Sequence, residues 1–393
     1  MQEKRFVYLD NAATTPMSES VISRMTEIYK NNYGNASAIY KIGRESKVIL
    51  DEARESVAKS LGCDVREVYF TGCGTESDNW AIKGFVKANP KKGKHIITTK
   101  IEHHAILHTC AALEKEGYTV TYLDVDEFGL VNPDDLEKAI TPETALISIM
   151  YANNEVGTIE PIKELCEIAH AHGITFHTDA VQAVGSEKIN FHELGADMMS
   201  LSAHKFHGPK GVGALIVKKG TKLVPYLDGG AQERKMRGGT ENIAGIAGLA
   251  VALAEAVTDI DKKQSALREK RDYLIKRIKE TIPYIKFNGH PEKRLNNNVN
   301  FCFEFIEGES LLLLLDMNGI CASSGSACTS GSLDPSHVLL AMGIPHEIAH
   351  GSLRLTLSTK TTKEDIDYTV EKLDAIVKRL RAMSPLYNEK TEK

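Results

Sequence analysis

Lys205 lies three residues beyond an apolar run that ends at Ser202, and Gly208-Pro209-Lys210-Gly211 turns the chain before the next run, Val212 to Val217. A lysine at the mouth of a buried strand is poorly hydrated, and desolvation favours the free amine that attacks carbonyls. Most lysines are solvated surface groups. Here Ser202, His204 and the close-packing glycines after them argue against that fate. Asp179 stands just past a second run, Ile174 to His177. It is either the cap of a following helix or a carboxylate that keeps a ring nitrogen protonated. Thr71-Gly72-Cys73-Gly74-Thr75-Glu76-Ser77 follows a third run and opens a helix. Small residues there, Gly74 and Thr75 among them, let amide groups approach an anion at a helix N-terminus, although a plain strand-to-helix turn has the same composition. The stretch is not a Walker loop, because it lacks the Gly-Lys-Ser/Thr ending. An amine, an acid for a pyridinium and an anion turn make up the set that pyridoxal 5'-phosphate needs, and no other common cofactor needs all three.

Other residues stand where strand ends would present them. His103 follows the run His95–Thr99, and its flat ring suits stacking on a cofactor ring. His104 and His108 are four apart on a predicted helix, the spacing of a metal pair, but no third ligand motif accompanies them; they are read as structural and no metal is expected. Tyr151-Ala152-Asn153-Asn154-Glu155 offers amide hydrogen bonds to a ring hydroxyl. Arg354, inside an apolar strand pattern, needs a carboxylate partner, either an internal acid or that of a substrate held bidentately. Arg234, Arg237, Gly238, Gly239 and Thr240 are a set ready to approach an anion. Cys328 sits in Ala322-Ser323-Ser324-Gly325-Ser326-Ala327-Cys328-Thr329-Ser330-Gly331-Ser332, a flexible polar run. A thiol on a mobile tether can visit a site and leave with cargo; the plain alternative is a surface cysteine without a role. The remaining cysteines fall in or beside helical and strand patterns, where a small buried thiol is ordinary.

The elements that must position these groups are legible as seven apolar runs: Val68–Phe70, His95–Thr99, Tyr118–Leu123, Ala145–Met150, Ile174–His177, Met198–Ser202 and Val212–Val217. Helical stretches such as Asp78–Ala88, Ala105–Glu116 and Ile162–His172 alternate with them. Such alternation predicts an α/β fold with a mainly parallel sheet covered on both faces, and ligands bind beyond the carboxyl ends of its strands. Before this region, Phe6 to Asp10 reads as a short strand and Asn11-Ala12-Ala13-Thr14-Thr15-Pro16 as a turn, with Ser18 capping a helix. Past Asn242 come a small-residue helix (Ile243–Val257) and a long charged one (Ile260–Ile282). Strands at Val299–Phe305 and Leu353–Leu357 and a last helix from Lys363 to Met383 follow. The expected division is a large domain over 16–257 and a smaller α+β domain made of 1–15 and 258–393, which carries the cysteine loop at 321–333.

Composition narrows the class. The 393 residues are 42% hydrophobic and 26% charged, as in ordinary soluble globular proteins. The net charge of −5 gives no electrostatic case for nucleic acid or an anionic membrane. The longest apolar run of note, Leu311 to Leu315, is far too short to cross a bilayer, and the N-terminal residues lack the apolar stretch of a secretory signal. Seven cysteines, an odd number without a Cys-x-x-Cys pair, speak against a disulfide framework or a zinc site and for the cytoplasm.

Taken together, the stretches Ser202-Ala203-His204-Lys205, His177-Thr178-Asp179-Ala180-Val181-Gln182, Arg237-Gly238-Gly239-Thr240-Glu241-Asn242 and Ser323 to Ser332 resemble the pyridoxal-phosphate cysteine desulfurases of the nitrogen-fixation and iron–sulfur-cluster type. The likeness runs from Tyr8 to Tyr387, nearly the whole chain. It implies pyridoxal-phosphate fold type I, a homodimer, L-cysteine as substrate and a sulfur-acceptor protein such as an iron–sulfur scaffold. By position, Lys205 would be the Schiff-base lysine, Cys328 the persulfide carrier, in possible contact with a nascent iron–sulfur cluster, and Asp179 the partner of the pyridine nitrogen. His103 would stack on the ring, and Asn154 and Gln182 would bond the ring oxygen. Thr75, Ser202 and His204 would hold the phosphate, with Thr240 reaching in from the second subunit. Arg354, helped by Asn154, would take the substrate carboxylate. Ala36 and Cys73 depart from the usual residues at their positions. The chain ends soon after Tyr387, without the longer tail that docks a scaffold in many housekeeping members, which leans toward the nitrogen-fixation branch. The rival activities are selenocysteine lyase or another pyridoxal β-eliminase, and a non-catalytic sulfur-transfer scaffold of the same fold.

Overall fold

The structure, a computed structural model, describes residues 5–324 and 335–387. Its strands, in chain order, are β1 (Val7–Tyr8), β2 (Val68–Thr71), β3 (His95–Thr99), β4 (Thr119–Leu123), β5 (Thr144–Ser148) and β6 (Thr175–Asp179), then β7 (Met198–Ser202), β8 (Gly213–Val217), β9 (Ile285–Phe287), β10 (Asn298–Phe303), β11 (Ile320–Cys321) and β12 (Ser352–Thr356). Seven of them form one sheet in the order β2-β8-β7-β6-β5-β3-β4. Neighbours from β7 through β4 run parallel, while β8 is antiparallel to both β7 and β2. The expectation of a mainly parallel seven-stranded sheet is met. Every residue of β3, β5, β6, β7 and β8 is buried. A strand covered on both faces has no solvated side to mark with polar residues, so these stretches read as continuous runs rather than as alternation.

Helices cover the faces. The helix Glu19–Asn31 begins at Ser18, whose hydroxyl accepts the Val21 N–H. Lys41–Leu61 ends at Gly62, whose φ of 64° suits a residue without a Cβ. Ile243–Val257 packs against both, its alanines and glycines allowing close approach. One predicted helix is interrupted. In place of a continuous Asp78–Ala88 there are Gly74–Asn79, a wide π-turn over Trp80–Gly84, and Phe85–Ala88. The buried Trp80 ring donates to the Val224 carbonyl at 2.9 Å and lies where a Cβ on Gly84 would meet it at 2.7 Å. The bulge makes room for that indole.

A second apolar core lies under the antiparallel sheet β9-β10-β12, the parallel pair β1-β11 and the helices Ile260–Thr281, Gly308–Met317 and Lys363–Ala382. The Leu311–Leu315 run is part of the middle helix, with Leu311 and Leu315 buried and Leu313 exposed. The last helix opens with a reciprocal capping box between Thr362 and Asp365. The N-terminal segment is stitched to this part of the chain: Leu9 donates to the Cys321 carbonyl at 2.9 Å and accepts from the Thr356 N–H at 2.7 Å. Among the described residues no single helix is long and apolar enough to cross a membrane.

Candidate active site

At the carboxyl ends of the parallel strands lies a cavity of about 350 Å³. Gly74, Thr75, His103, Asn154, Asp179, Gln182, Ser202, His204, Lys205 and Arg354 all line it. Residues scattered over 280 positions of sequence meet there because most of them end or follow strands of the large sheet, while Arg354 reaches in from within β12. Two predicted residues are not in that set. Thr240 lines a separate cavity with Gly72 and Arg237, and Cys328 lies outside the described residues.

Lys205 ends a short 3-10 turn, Ala203–Lys205, that follows β7 directly. Its Nζ donates to the carbonyls of Ala12 and Ala13 at 2.6 and 2.9 Å. The N-terminal turn therefore roofs the site, which its sequence alone does not announce. Thr15 fixes the roof, donating from both N and Oγ1 to the His204 carbonyl at 2.9 Å and accepting the His207 N–H at 2.8 Å. Gln182 donates from Nε2 to the Ala12 carbonyl at 2.9 Å. His204 Nδ1 lies 3.1 Å from Thr14 Oγ1, and burial, with Lys205 and Lys210 nearby, pushes its imidazole down to about 4.

Asp179 closes β6. Its Oδ1 accepts the Val181 N–H at 2.9 Å in an Asx turn; a turn rather than a helix follows, so the helix cap offered as one reading of this residue is absent. Burial raises this carboxyl to about 6, while the Val181 N–H and the charge of Lys205 pull it back toward ionisation. His103 caps the helix His104–Lys115, its Nδ1 accepting the Ala105 N–H at 3.1 Å. Burial first, then the charges of Lys205 and three neighbouring histidines, push it down to about 4, so the ring is neutral and carries its proton on Nε2. His104 and His108 stack at 5.0 Å between centroids, and His337 lies 4.7 Å from His104.

The two asparagines after β5 divide their work. Asn153 is structural, its Nδ2 donating to Ile101 O at 3.0 Å and its Oδ1 accepting the N–H groups of Glu155 and Val156. Asn154 lines the cavity, and its carbonyl accepts from Arg354 Nη1 at 2.8 Å. Arg354 Nη2 meets Asp10 Oδ1 at 2.9 Å, so the internal acid expected for this arginine exists. Its Nε is buried without a hydrogen-bond partner. Of the two arginines expected to approach an anion, Arg237 meets a carboxylate of the chain itself and Arg234 turns to a carbonyl and a ring. Arg237 pairs with Glu76 at 2.9 Å, and Arg234 donates to Val68 O while lying 4.0 Å over the Tyr69 ring. Glu76 accepts both Arg237 and the Gly72 N–H, so the carboxylate beside the glycine turn consumes the arginine.

Both ends of the segment that bears Cys328 are tied to this site. Ser323 pairs with Arg354 through backbone hydrogen bonds, and Ser352 Oγ donates to Ser324 O at 3.1 Å. On the far side, Ser336 bonds the buried Glu155 carboxylate and His337 Nε2 donates to the carbonyl of Glu102 at 2.9 Å. Sequence reasoning missed these anchors and two buried acids, Asp78 and Glu102; Asp78 lines the cavity itself. Glu102 was signalled only as an acid shortly after a strand, which caps also produce, and Asp78 only as an acid inside a helical stretch.

The donor set suits pyridoxal phosphate: an amine, an acid beneath, a neutral flat ring, and a helix N-terminus with hydroxyl and imidazole groups for a phosphate. The family profile of the class-V aminotransferases matches residues 7–369. The chain belongs to that family, in its cysteine desulfurase branch. The protein named cysteine desulfurase IscS from Methanosarcina thermophila is 56% identical over 384 residues, covering 98% of this chain and 95% of that one. Its namesake from Dictyoglomus turgidum is 53% identical over 386 residues, covering 98% of both. A solved NifS-like protein, 38% identical, superposes with a TM-score of 0.90 over 96% of this chain and all of that one.

Proposed function

We propose that the chain uses bound pyridoxal phosphate to remove sulfur from L-cysteine, releasing L-alanine and leaving the sulfur as a persulfide on Cys328. The observation that carries this reading is the single cavity shared by Lys205, Asp179, the helix N-terminus at Gly74–Thr75 and Arg354, with the footing of the Cys328 segment bonded to Arg354. When bound, the cofactor's pyridinium ring withdraws electrons from the substrate Cα. Asp179 keeps that ring nitrogen protonated, and His103, neutral and flat, supports the ring. Gln182 and Asn154 orient its oxygen, and Thr75, Ser202 and His204 hold the phosphate. Arg354, fixed by Asp10 and the Asn154 carbonyl, takes the substrate carboxylate, and the Lys205 amine accepts the Cα proton. Cys328 then attacks the substrate sulfur as a thiolate: the S–S bond forms, the C–S bond breaks, and the electron pair stays with the carbon fragment, which is protonated and leaves as alanine. Cys328 is the fourth residue after Ser324 in the sequence, so the chain itself limits its reach from that anchor to about 14 Å.

Several coarser features belong to the same reading. Exposed Tyr29, Tyr33, Ile39, Tyr40 and Val48, on the first two helices and the segment that joins them, support a homodimer, in which Thr240 would serve the partner's phosphate site. The two apolar cores support a large domain over 16–257 and a smaller one from 1–15 and 258–393. A cytoplasmic setting and a sulfur-acceptor protein, such as an iron–sulfur scaffold meeting Cys328, complete it. The test is incubation with cysteine followed by peptide mass measurement. One added sulfur on the Cys328 peptide, with alanine formed, is expected. A Cys328→Ser chain that retains the bound cofactor's visible absorbance and still turns over cysteine fully would remove the tethered thiol from the reaction.

A further inference from the structure

Asp78 is buried, lines the cavity and leaves its Oδ1 without a hydrogen-bond partner. It belongs to the helix that opens at Gly74, and the functions above do not use it. We propose that Asp78 is a positioning residue, a buried carboxylic acid that carries the one proton of a two-carboxyl pair and leaves the negative charge on Asp179. The inference rests on the cofactor reading for its purpose, but not for its chemistry.

Two carboxyls in one buried cavity do not readily both ionise, and of the cations that line it Arg354 is already taken by Asp10, which leaves Lys205. Which one keeps the proton is decided by what each is given. Asp179 has a backbone N–H on its Oδ1 and the charge of Lys205. Ionisation of Asp78 is opposed first by its burial and then by the charge of Asp179, with the Ser200 hydroxyl favouring its anion.

His177 does not rescue it. Its Nε2 is 3.8 Å from Asp78 Oδ1, which would make an ion pair if the ring were charged. Both ring nitrogens, however, are taken by hydroxyls, Nδ1 by Ser148 at 2.9 Å and Nε2 by Ser200 at 3.0 Å, and the ring is fully buried. Burial holds that imidazole far below its ordinary range, so it stays neutral. Ser148, His177 and Ser200 are all closed to solvent, so the network exchanges no charge with water. A buried anion without a counter-charge takes up a proton instead. The consequence is a single fixed negative charge beneath the ring nitrogen, assigned to Asp179 by its neighbour.

The test compares infrared difference spectra and pyridoxal phosphate binding for wild type, Asp78→Asn and Asp179→Asn, each with and without cofactor at neutral pH. Because Glu102 and Glu160 are also buried acids, only the difference spectrum is read. A carboxylic-acid C=O band is expected to vanish in Asp78→Asn and to survive in Asp179→Asn. Cofactor affinity should stay within about twofold in Asp78→Asn, since a neutral amide replaces a neutral acid, and fall about tenfold or more in Asp179→Asn. A band lost in Asp179→Asn, no band attributable to Asp78, or an affinity loss in Asp78→Asn equal to that of Asp179→Asn would each overturn the assignment. Should Asp78→Asn not fold, Asp78→Ser is read against wild type in the same difference spectrum. The spectra without cofactor separate this inference from the desulfurase reading, which fails or stands on sulfur transfer.

Discussion

Replacing Arg54 by Met should cost the protein about 3–5 kcal/mol, because it strands a buried carboxylate. Arg54 grips Glu233 through two parallel bonds, Nη2 to Oε1 at 2.6 Å and Nη1 to Oε2 at 2.8 Å. Both residues are buried, with 9% and 5% of their surface exposed, so water does not replace the lost cation. In the variant Glu233 keeps one donor, the Phe70 N–H at 3.0 Å. Unfolding entropy of about 2.1 cal/mol/K per residue amounts to about 0.8 kcal/mol/K for a cooperative transition of 393 residues. The melting temperature should therefore fall by about 4–6 °C. The double variant Arg54→Met/Glu233→Leu removes the stranded charge and leaves an unpaired Phe70 N–H, a loss of only about 1–3 kcal/mol. Differential scanning calorimetry of both variants reads the answer. A single variant within a degree of wild type, or a double variant worse than the single, would refute the view that losing Arg54 strands a buried charge on Glu233.

Three further outcomes are expected. Because burial raises the Asp179 carboxyl to about 6, and its ionised form grips the cofactor, pyridoxal phosphate affinity should rise with pH through that region; Asp179→Asn should be weak and flat, as fluorescence titration from pH 5 to 8 will show. Gly185 has φ +83°, and a Cβ there would meet Phe206 Cβ at 2.8 Å and Ala256 Cβ at 3.1 Å. Gly185→Ala should destabilise by about 2–4 kcal/mol in denaturant melts and lower kcat through the residue next to Lys205. If Thr240 acts across the dimer, mixing inactive Lys205→Ala chains with Thr240→Ala chains should restore one intact site per mixed dimer, about half the wild-type turnover; no gain on mixing would place Thr240 elsewhere.

The central sheet was readable because β3 and β5 to β8 are covered on both faces and so appear as unbroken apolar runs. Lys205, Asp179 and His103 were readable because parallel sheets present ligand groups after such runs. The Ala12 and Ala13 carbonyls that receive Lys205 were not, since a carbonyl carries no mark in the side-chain pattern and its partner is 193 and 192 positions away. Asp78 was hidden by ambiguity, because an acid inside a short helix is usually a solvated surface group. The wide turn at Trp80–Gly84 was missed for a similar reason: propensity favours a continuous helix there, and only tertiary packing of the indole overrides it.

The roof over Lys205 has a bearing on how the protein is made. Residues 9 to 12 are held by β12, with Asn11 Nδ2 on the Thr356 carbonyl at 2.7 Å and the Ala12 N–H on Thr356 Oγ1 at 2.9 Å. A ribosome delivers that segment some 340 residues before its clasp, so a partly synthesised chain holds the Lys205 amine under an unfinished ceiling. Competence to hold coenzyme should arise late and abruptly during translation, once β12 clears the exit tunnel.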